Sequence, residues 1–188
     1  MRSPRIHVLT GDGRGKTTSA AGTALRTIGH GGRCLFCQFI KGTLFSGEVA
    51  AMERFSPLAE VRRYGPDCSR GPAQPTVSEC GECRDCWLTD DTRARHAQLA
   101  SRGLVDAARA LRTGGYDLVV LDELCLALSE NLLDAKETKA QLQRAECAEV
   151  IVTGRSAPDW LVEMADVVSE ISCVKYSRER TPRAGIEY

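Results

Sequence analysis

The sequence predicts an α/β protein built on a mostly parallel β-sheet with helices on both faces. Short apolar runs alternate with amphipathic helical patterns along most of the 188 residues, which is typical of strands joined by crossover helices. The run at residues 33–39 is apolar on both faces, as expected of a strand buried within a parallel sheet. The length and the 43% hydrophobic content suit one well-packed domain spanning residues 1–188.

The elements follow one another in a regular alternation from the N-terminus. Strands are predicted at residues 5–10, 33–39, 60–64, 117–122, 149–153 and 166–171. Helices are predicted at residues 16–28, 48–55, 89–112, 134–144 and 158–165. Glycines at positions 29 and 114 end the first and third of these helices. The stretch at 65–88 has no periodicity, and we interpret it as an insertion in the domain.

Charge and hydropathy narrow the class of protein. The 25 basic and 25 acidic residues balance, which argues against a nucleic-acid-binding surface, since such surfaces carry a basic excess. No apolar run approaches the ~20 residues that a membrane span needs. The apolar run near the N-terminus is too short for a secretory signal. We therefore expect a cytoplasmic protein that binds neither nucleic acid nor membrane.

A glycine-rich turn follows the first predicted strand and opens the first predicted helix. It reads Gly11-Asp12-Gly13-Arg14-Gly15-Lys16-Thr17-Thr18. Glycines let backbone N–H groups approach phosphate oxygens, and the helix N-terminus adds partial positive charge. In such a P-loop the lysine reaches the outer phosphates and the threonine after it binds Mg²⁺. Thr10 stands where the first glycine of the usual motif is found, so this loop is one residue short.

Two carboxylates end the fourth predicted strand. Asp122 and Glu123 follow an apolar run, and carboxylates at a strand end fit a site that holds Mg²⁺ directly or through water. Alone this signal is weak, but the phosphate loop strengthens it. Together they predict a P-loop NTPase-like, three-layer fold that binds a nucleoside triphosphate, with Thr17, Asp122 and Glu123 at the Mg²⁺.

The nine cysteines divide into two groups. An odd count without secretory features speaks against a disulfide framework. Five cysteines lie singly in apolar or strand-like stretches, where we expect them to act as small buried hydrophobes. These five are Cys34, Cys37, Cys125, Cys147 and Cys173.

The other four cysteines lie in the insertion at 65–88. Cys68, Cys80, Cys83 and Cys86 have the spacing Cys-x11-Cys-x2-Cys-x2-Cys, which suits one metal centre. Zinc held by four thiolates would order a segment that lacks a core of its own. The run of three closely spaced cysteines is more typical of [4Fe–4S] ligation, and we favour that cluster over zinc. Unmetallated thiols are the third interpretation.

Six ordered blocks of the sequence resemble the P-loop corrinoid (cob(I)alamin or cob(I)yrinic acid a,c-diamide) adenosyltransferases. The blocks are residues 11–18, 38–42 with 47–48, 121–123, 152–158, 165–170 with 174–175, and 185–188. The first block shares two features with the family: a loop that is one residue shorter than the usual motif, and a basic side chain at Arg14. The resemblance implies that ATP and a corrinoid are the substrates, that Co(I) attacks the ribose 5′ carbon, and that triphosphate leaves.

The resemblance also implies roles for individual residues. Arg14, Lys16 and Glu123 would act as catalytic residues that stabilise the leaving triphosphate. The loop residues, with Lys41 of the second block and Arg155 of the fourth, would bind the nucleotide. Members of the family are commonly homodimers. Since Co(I) must be made by reduction, an electron-donor protein is a further expected partner.

The chain departs from the family where the family carries corrin-facing aromatics. Residues 64–68 stand in place of its Gly-x-Gly-Phe-x-Trp stretch, and Trp87 is a candidate to replace those aromatics. An iron–sulfur cluster here would relay an electron to cobalt or sense reducing conditions. Two alternatives to the enzyme stay open. One is an ATP-responsive metal- or corrinoid-binding protein that does not transfer adenosyl, and the other is an unrelated P-loop kinase or ATPase, which the six blocks oppose.

Overall fold

The computed structural model describes residues 4–42, 46–69, 85–146, 149–176, 183 and 185–186. Six parallel strands form one sheet within these residues, in the order β3-β2-β4-β5-β1-β6. The strands are β1 Ile6–Thr10, β2 Cys34–Phe39, β3 Ala59–Tyr64, β4 Leu118–Asp122, β5 Glu149–Thr153 and β6 Val167–Glu170. The helices are α1 Lys16–Gly29, α2 Gly47–Glu53, α3 Arg93–Thr113, α4 Leu124–Ser129, α5 Ala135–Gln143 and α6 Asp159–Met164.

Strand β2 shows why the molecule has three layers. All six of its residues are buried, and because side chains alternate between the faces of a sheet, they divide between two cores. Leu35 and Phe39 join a core on the side of α3, α4, α5 and α6. Cys34 and Phe36 join a second core with residues of α1 and α2. The prediction of a mostly parallel sheet covered on both faces is confirmed.

The contact between α3 and β3 depends on a glycine. A Cβ atom at Gly103 would lie 2.7 Å from ring atoms of Tyr64 and 3.0 Å from Phe39. The Tyr64 hydroxyl donates a hydrogen bond of 2.9 Å to Asp106 Oδ2 on the same helix. The close approach buries the Tyr64 ring under α3, with 5% of the residue exposed.

Apart from shifts of one or two residues at other element ends, two features differ from the predicted elements. Helix α3 begins at Arg93 rather than at residue 89, because Thr92 and Thr89 form a turn in which the Thr89 N–H donates to Thr92 Oγ1 at 2.9 Å. Helix α4 was not predicted: it follows β4 after one residue, and its six apolar or small residues are too few to establish a helical period.

The single cysteines follow the expectation with one exception. Cys34, Cys37 and Cys125 are buried, whereas Cys173 is exposed, because it follows the edge strand β6, whose four residues are themselves exposed. The expectation of a buried Cys173 was wrong. Cys147 lies outside the described residues. In the part of the chain that the structure describes, no helix is long and apolar enough to cross a membrane.

Candidate nucleotide and metal site

The predicted site residues meet at the carboxyl ends of the parallel strands. The phosphate loop follows β1, Lys41 follows β2, Asp122 ends β4, and Arg155 follows β5. In open parallel sheets this edge is where ligands bind, because helix N-termini and connecting loops converge there. The topology therefore brings together residues that are more than 100 positions apart in the sequence, as the Thr17–Asp122 contact shows.

The glycines of the phosphate loop serve two different purposes. Gly11 and Gly15 have φ angles of 96° and 108°, a region that residues with a side chain rarely adopt. Gly11 and Gly13 also permit a close approach, since a Cβ atom would lie 2.5 Å from Ile171 O at Gly11 and 2.6 Å from it at Gly13. The Gly13 N–H donates to that same oxygen at 2.7 Å. In this structure the Gly13 amide therefore faces the segment after β6 rather than a phosphate position.

Lys16 is folded into its own loop. Its Nζ donates hydrogen bonds of 2.6 Å to Gly11 O and 2.6 Å to Gly13 O, and only 8% of the residue is exposed. Burial lowers the pKa of Lys16, and the nearby positive charge of Arg155 lowers it further. The loop thus holds an ammonium group among carbonyl oxygens, in the position from which a P-loop lysine reaches phosphate.

Asp122 is the buried hub of the site. Its Oδ1 accepts hydrogen bonds from Thr17 Oγ1 at 2.8 Å and from Thr153 Oγ1 at 2.7 Å. Its Oδ2 accepts from Lys41 Nζ at 2.9 Å and from Gln38 Nε2 at 3.3 Å. The residue is 0% exposed, and a buried carboxylate is tolerated only when its oxygens are paired in this way.

Glu123 is held in an uncommon backbone conformation beside the hub. Its φ angle is 61°, which is costly for a residue with a side chain and is found most often at functional sites. The Glu123 N–H donates to Thr153 Oγ1 at 3.0 Å, so the turn and the hub share one hydroxyl. Burial raises the pKa of Glu123, the charge of Lys41 lowers it, and the net direction is upward.

Lys41 supplies the positive charge at the centre of this group. Besides Asp122, its Nζ lies 3.2 Å from Thr17 Oγ1 and 3.8 Å from Glu123 Oε1. Burial alone would lower the pKa of Lys41, but the charges of Asp122 and Glu123 outweigh it and raise that pKa. The ammonium group is therefore charged and sits among three oxygen-bearing side chains.

The donor set fits a magnesium ion. Hydroxyl and carboxylate oxygens are the ligands that Mg²⁺ prefers, and Thr17, Asp122 and Glu123 all place one near the same cationic group. An ammonium among these oxygens marks a position of strongly negative potential. The residues named from the sequence as candidate Mg²⁺ ligands thus do lie together, although their role as ligands stays a prediction.

The remaining site residues lie around this centre. The Arg14 guanidinium lies over the Tyr176 ring, 5.7 Å from its centroid. Arg155 is exposed, and its charge influences both Lys16 and Glu123. Asp12 and Thr18 are exposed at the surface of the loop.

Two residues that donate hydrogen bonds to Asp122 were not predicted as part of the site. Gln38 and Thr153 each hold one oxygen of Asp122. The available signal was chemical: each is a polar residue that follows buried apolar residues near the carboxyl end of its strand. Such residues need a buried partner, and the sequence alone does not say which one.

The four-cysteine segment is described only at its two ends. Cys68 is half-buried and Cys86 is buried, while Cys80 and Cys83 lie outside the described residues. Ser69 Oγ donates a hydrogen bond to Asp85 Oδ2, so the two ends meet one residue away from the outer cysteines. Among the described residues, no three His, Cys, Asp or Glu side chains form a group that could hold a metal ion.

A parallel sheet that carries a glycine-rich phosphate loop beside a buried lysine and two strand-end carboxylates defines a P-loop nucleotide-binding protein. The family model described as ATP:corrinoid adenosyltransferase BtuR/CobO/CobP matches residues 2–188. The chain belongs to this family of transferases, which confirms the resemblance stated from the six blocks.

Relatives named corrinoid adenosyltransferases align with nearly the whole chain. The corrinoid adenosyltransferase of Escherichia coli K12 is 35% identical over 186 residues, 97% of this chain and 85% of the relative. That of Pseudomonas aeruginosa PAO1 is 35% identical over 184 residues, 96% and 82% of the two chains. The corrinoid adenosyltransferase CobA of Salmonella typhimurium LT2 is 33% identical over 186 residues, 97% and 85% of the two chains.

Proposed function

We propose that this chain transfers the 5′-deoxyadenosyl group of ATP to Co(I) of a corrinoid. The cobalt–carbon bond forms as the bond between C5′ and the triphosphate oxygen breaks, and the electron pair of that bond leaves with the triphosphate. The observation that carries the proposal is the buried Lys16 in a one-residue-short phosphate loop, beside the Thr17–Asp122 pair. Membership of the adenosyltransferase family supports the corrinoid as acceptor.

The site residues act mainly on the leaving group. A triphosphate carries several negative charges, so positive groups placed where charge develops lower the barrier. Lys16 exchanges its two carbonyl partners for phosphate oxygens, and the exposed Arg14 reaches the same group. Mg²⁺ held by Thr17, Asp122 and Glu123 would neutralise further phosphate charge.

The remaining contacts bind and orient the nucleotide. Gly11, Gly13 and Gly15 shape the loop, while Asp12 and Thr18 flank the bound phosphates. Arg155 adds a positive charge close enough to Lys16 and Glu123 to affect the pKa of each. Lys41 completes the set from the connection after β2.

The four-cysteine segment is proposed as a metal-binding insertion at 65–88 in a single domain spanning 1–188. The Ser69–Asp85 hydrogen bond supports this proposal because it joins the residues next to Cys68 and Cys86. We favour a [4Fe–4S] cluster over zinc on the spacing of the three later cysteines. Anaerobic purification, metal analysis and EPR test the choice: iron with a cluster signal on reduction supports it, and stoichiometric zinc without iron contradicts it.

The corrin-facing side favours a second candidate function. Tyr64 is turned inward under α3, and its hydroxyl donates a hydrogen bond to Asp106. It therefore presents no aromatic face to a corrin. Trp87 is 53% exposed and is the proposed substitute. If Trp87 does not fill that role, the chain binds ATP and corrinoid without transferring adenosyl, which is the carrier alternative.

The proposed localisation, oligomeric state and protein partner are those expected for the family. We propose a cytoplasmic homodimer that receives one electron per turnover from a donor protein. No nucleic-acid partner is proposed, because the formal net charge is zero. No membrane partner is proposed either.

An anaerobic assay separates these candidates. Protein, ATP, Mg²⁺ and chemically reduced cobalamin are mixed, and the visible spectrum is followed. The enzyme forms the adenosylcobalamin spectrum, whereas the carrier binds both molecules and leaves the Co(I) spectrum unchanged. Release of triphosphate without a cobalt–carbon bond contradicts both.

A further inference from the structure

One ammonium group occupies the space among the three proposed Mg²⁺ ligands. Lys41 Nζ lies 2.9 Å from Asp122 Oδ2, 3.2 Å from Thr17 Oγ1 and 3.8 Å from Glu123 Oε1. Asp122 is 0% exposed, so it needs a counter-charge whenever no metal is bound. Lys41 provides that counter-charge.

The ammonium and a magnesium ion cannot occupy this space together. Mg²⁺ binds oxygen at 2.0–2.1 Å in near-octahedral geometry, and the Asp122 oxygens already accept four hydrogen bonds. A metal on Asp122 Oδ2 would displace one donor from that atom. It would also lie within a few ångströms of the Lys41 charge, where like charges repel strongly in a partly buried site.

The side chain of Lys41 borders solvent, whereas its backbone lies in a strained turn. Its side chain is 36% exposed, while that of Asp122 is fully enclosed, so solvent borders the lysine and not the hub. The preceding residue, Ile40, has a φ angle of 66°, which is strained for a β-branched residue. The Lys41 N–H donates to Phe39 O at 2.7 Å, so the connection is held by a tight local turn.

We propose that Lys41 is an internal cation that fills the metal site before substrate arrives and is displaced when Mg²⁺ enters with the nucleotide. The inference rests on the proposed function, since it concerns the Mg²⁺ of that site. Once displaced, the ammonium turns to the phosphates that arrive with the metal. Free Mg²⁺ must expel Lys41 without this compensation, so it binds weakly and the metal and ATP strengthen each other's binding.

Metal binding in the absence of nucleotide tests the proposal directly. Mn²⁺ is titrated into wild-type protein, Lys41→Met and Lys41→Gln, and the free ion is measured by its EPR signal. We expect both variants to bind Mn²⁺ about tenfold or more tightly than wild type, because a repelling charge has been removed. Lys136→Met makes the same charge change on the exposed surface of α5 and should leave the affinity unchanged. Affinity in the Lys41 variants equal to or below that of wild type overturns the proposal.

Thermal unfolding covers the case in which the Lys41 variants are unstable. Asp122 loses its buried counter-charge in Lys41→Met, so the variant should melt below wild type without metal. Added Mg²⁺ should then raise its Tm more than that of wild type. Glu123→Gln in the Lys41→Met background should abolish the gain, and a gain that survives this change contradicts the assigned site.

Failure of this inference is distinguishable from failure of the proposed function. If the Lys41 variants bind Mn²⁺ no more tightly while wild type forms adenosylcobalamin, the internal cation is wrong and the function stands. If they bind more tightly while wild type forms no adenosylcobalamin, the internal cation is supported and the function is wrong.

Discussion

Lys16 is the buried side chain whose positive charge we propose to stabilise the leaving triphosphate. We expect Lys16→Ala to lower kcat/KM for adenosylcobalamin formation by about 10²–10³-fold, the loss typical of one electrostatic contact to a developing anion. Initial rates at saturating corrinoid measure this. Lys136→Ala serves as the control because Lys136 is exposed on α5. A rate for Lys16→Ala equal to that of the control contradicts the assigned role.

The buried cysteines should be chemically silent. Burial raises the pKa of Cys34, Cys37 and Cys125 to about 12 in each case, and the thiolate is the reactive form. At about pH 8, iodoacetamide should therefore leave these three unmodified in the native protein while it alkylates the exposed Cys173. Peptide-resolved mass spectrometry measures each site. Alkylation of Cys37 as fast as of Cys173 would show that this core opens readily.

The sequence predicted the composition of the site better than its contacts. Lys16 and Thr17 follow from a motif whose spacing is set by phosphate geometry, and Asp122 follows from a strand end. The hydrogen bonds from Gln38 and Thr153 to Asp122 depend on which strands are neighbours. That information is contained in the sheet order, which local sequence does not encode.

The phosphate loop and the segment after β6 form one packed unit. A Cβ atom at Gly13 would lie 2.6 Å from Ile171 O and 2.8 Å from Ser172 C, both backbone atoms. We expect Gly13→Ala to lower the free energy of unfolding by roughly 1–3 kcal/mol, the usual cost of overpacking. Chemical denaturation measures it.

Gly22 offers the matched control for that substitution. It lies exposed within α1, and a Cβ atom there meets nothing within 4 Å. Gly22→Ala should raise the free energy of unfolding by roughly 0.5–1 kcal/mol, since alanine is the better helix former. Equal effects of the two substitutions would mean that the contact with Ile171 is not formed.

Glu60, on the edge strand β3, should make the free energy of unfolding depend on pH. A hydrogen bond from Tyr116 lowers the pKa of Glu60 below its ordinary value of 4.5, and Arg62 lowers it further. A lowered pKa stabilises the fold above 4.5, and this stabilisation is lost as the pH falls through the folded-state value. Glu60→Gln should therefore lower the free energy of unfolding by up to about 1 kcal/mol at neutral pH. This is the upper limit for an ion pair that solvent screens.

Denaturation of wild type and Glu60→Gln across the acid range measures this effect. The difference between them should narrow as the pH falls below 4.5. Glu53→Gln, on the exposed end of α2, should show little difference from wild type throughout. A gap for Glu60→Gln that is constant with pH contradicts the ionic contribution.

The whole molecule was predictable in class and less so in detail. Alternation of apolar runs with helical patterns predicted the parallel sheet, because crossover helices are what join parallel strands. Helix α4 escaped prediction because six residues directly after β4 carry no measurable period. The family assignment from six blocks is confirmed by the match over residues 2–188, whereas the metal at the cysteines stays a prediction.

The proposed enzyme cleaves ATP at C5′ rather than at a phosphorus atom. The direct measurement combines ATP labelled with ¹³C at C5′, reduced cobalamin and protein under anaerobic conditions, followed by ¹³C and ³¹P NMR. We expect a cobalt-bound ¹³C methylene that accumulates in equal amount with intact triphosphate. ADP with inorganic phosphate, or AMP with pyrophosphate, with the label still on a ribose ester carbon, would contradict it.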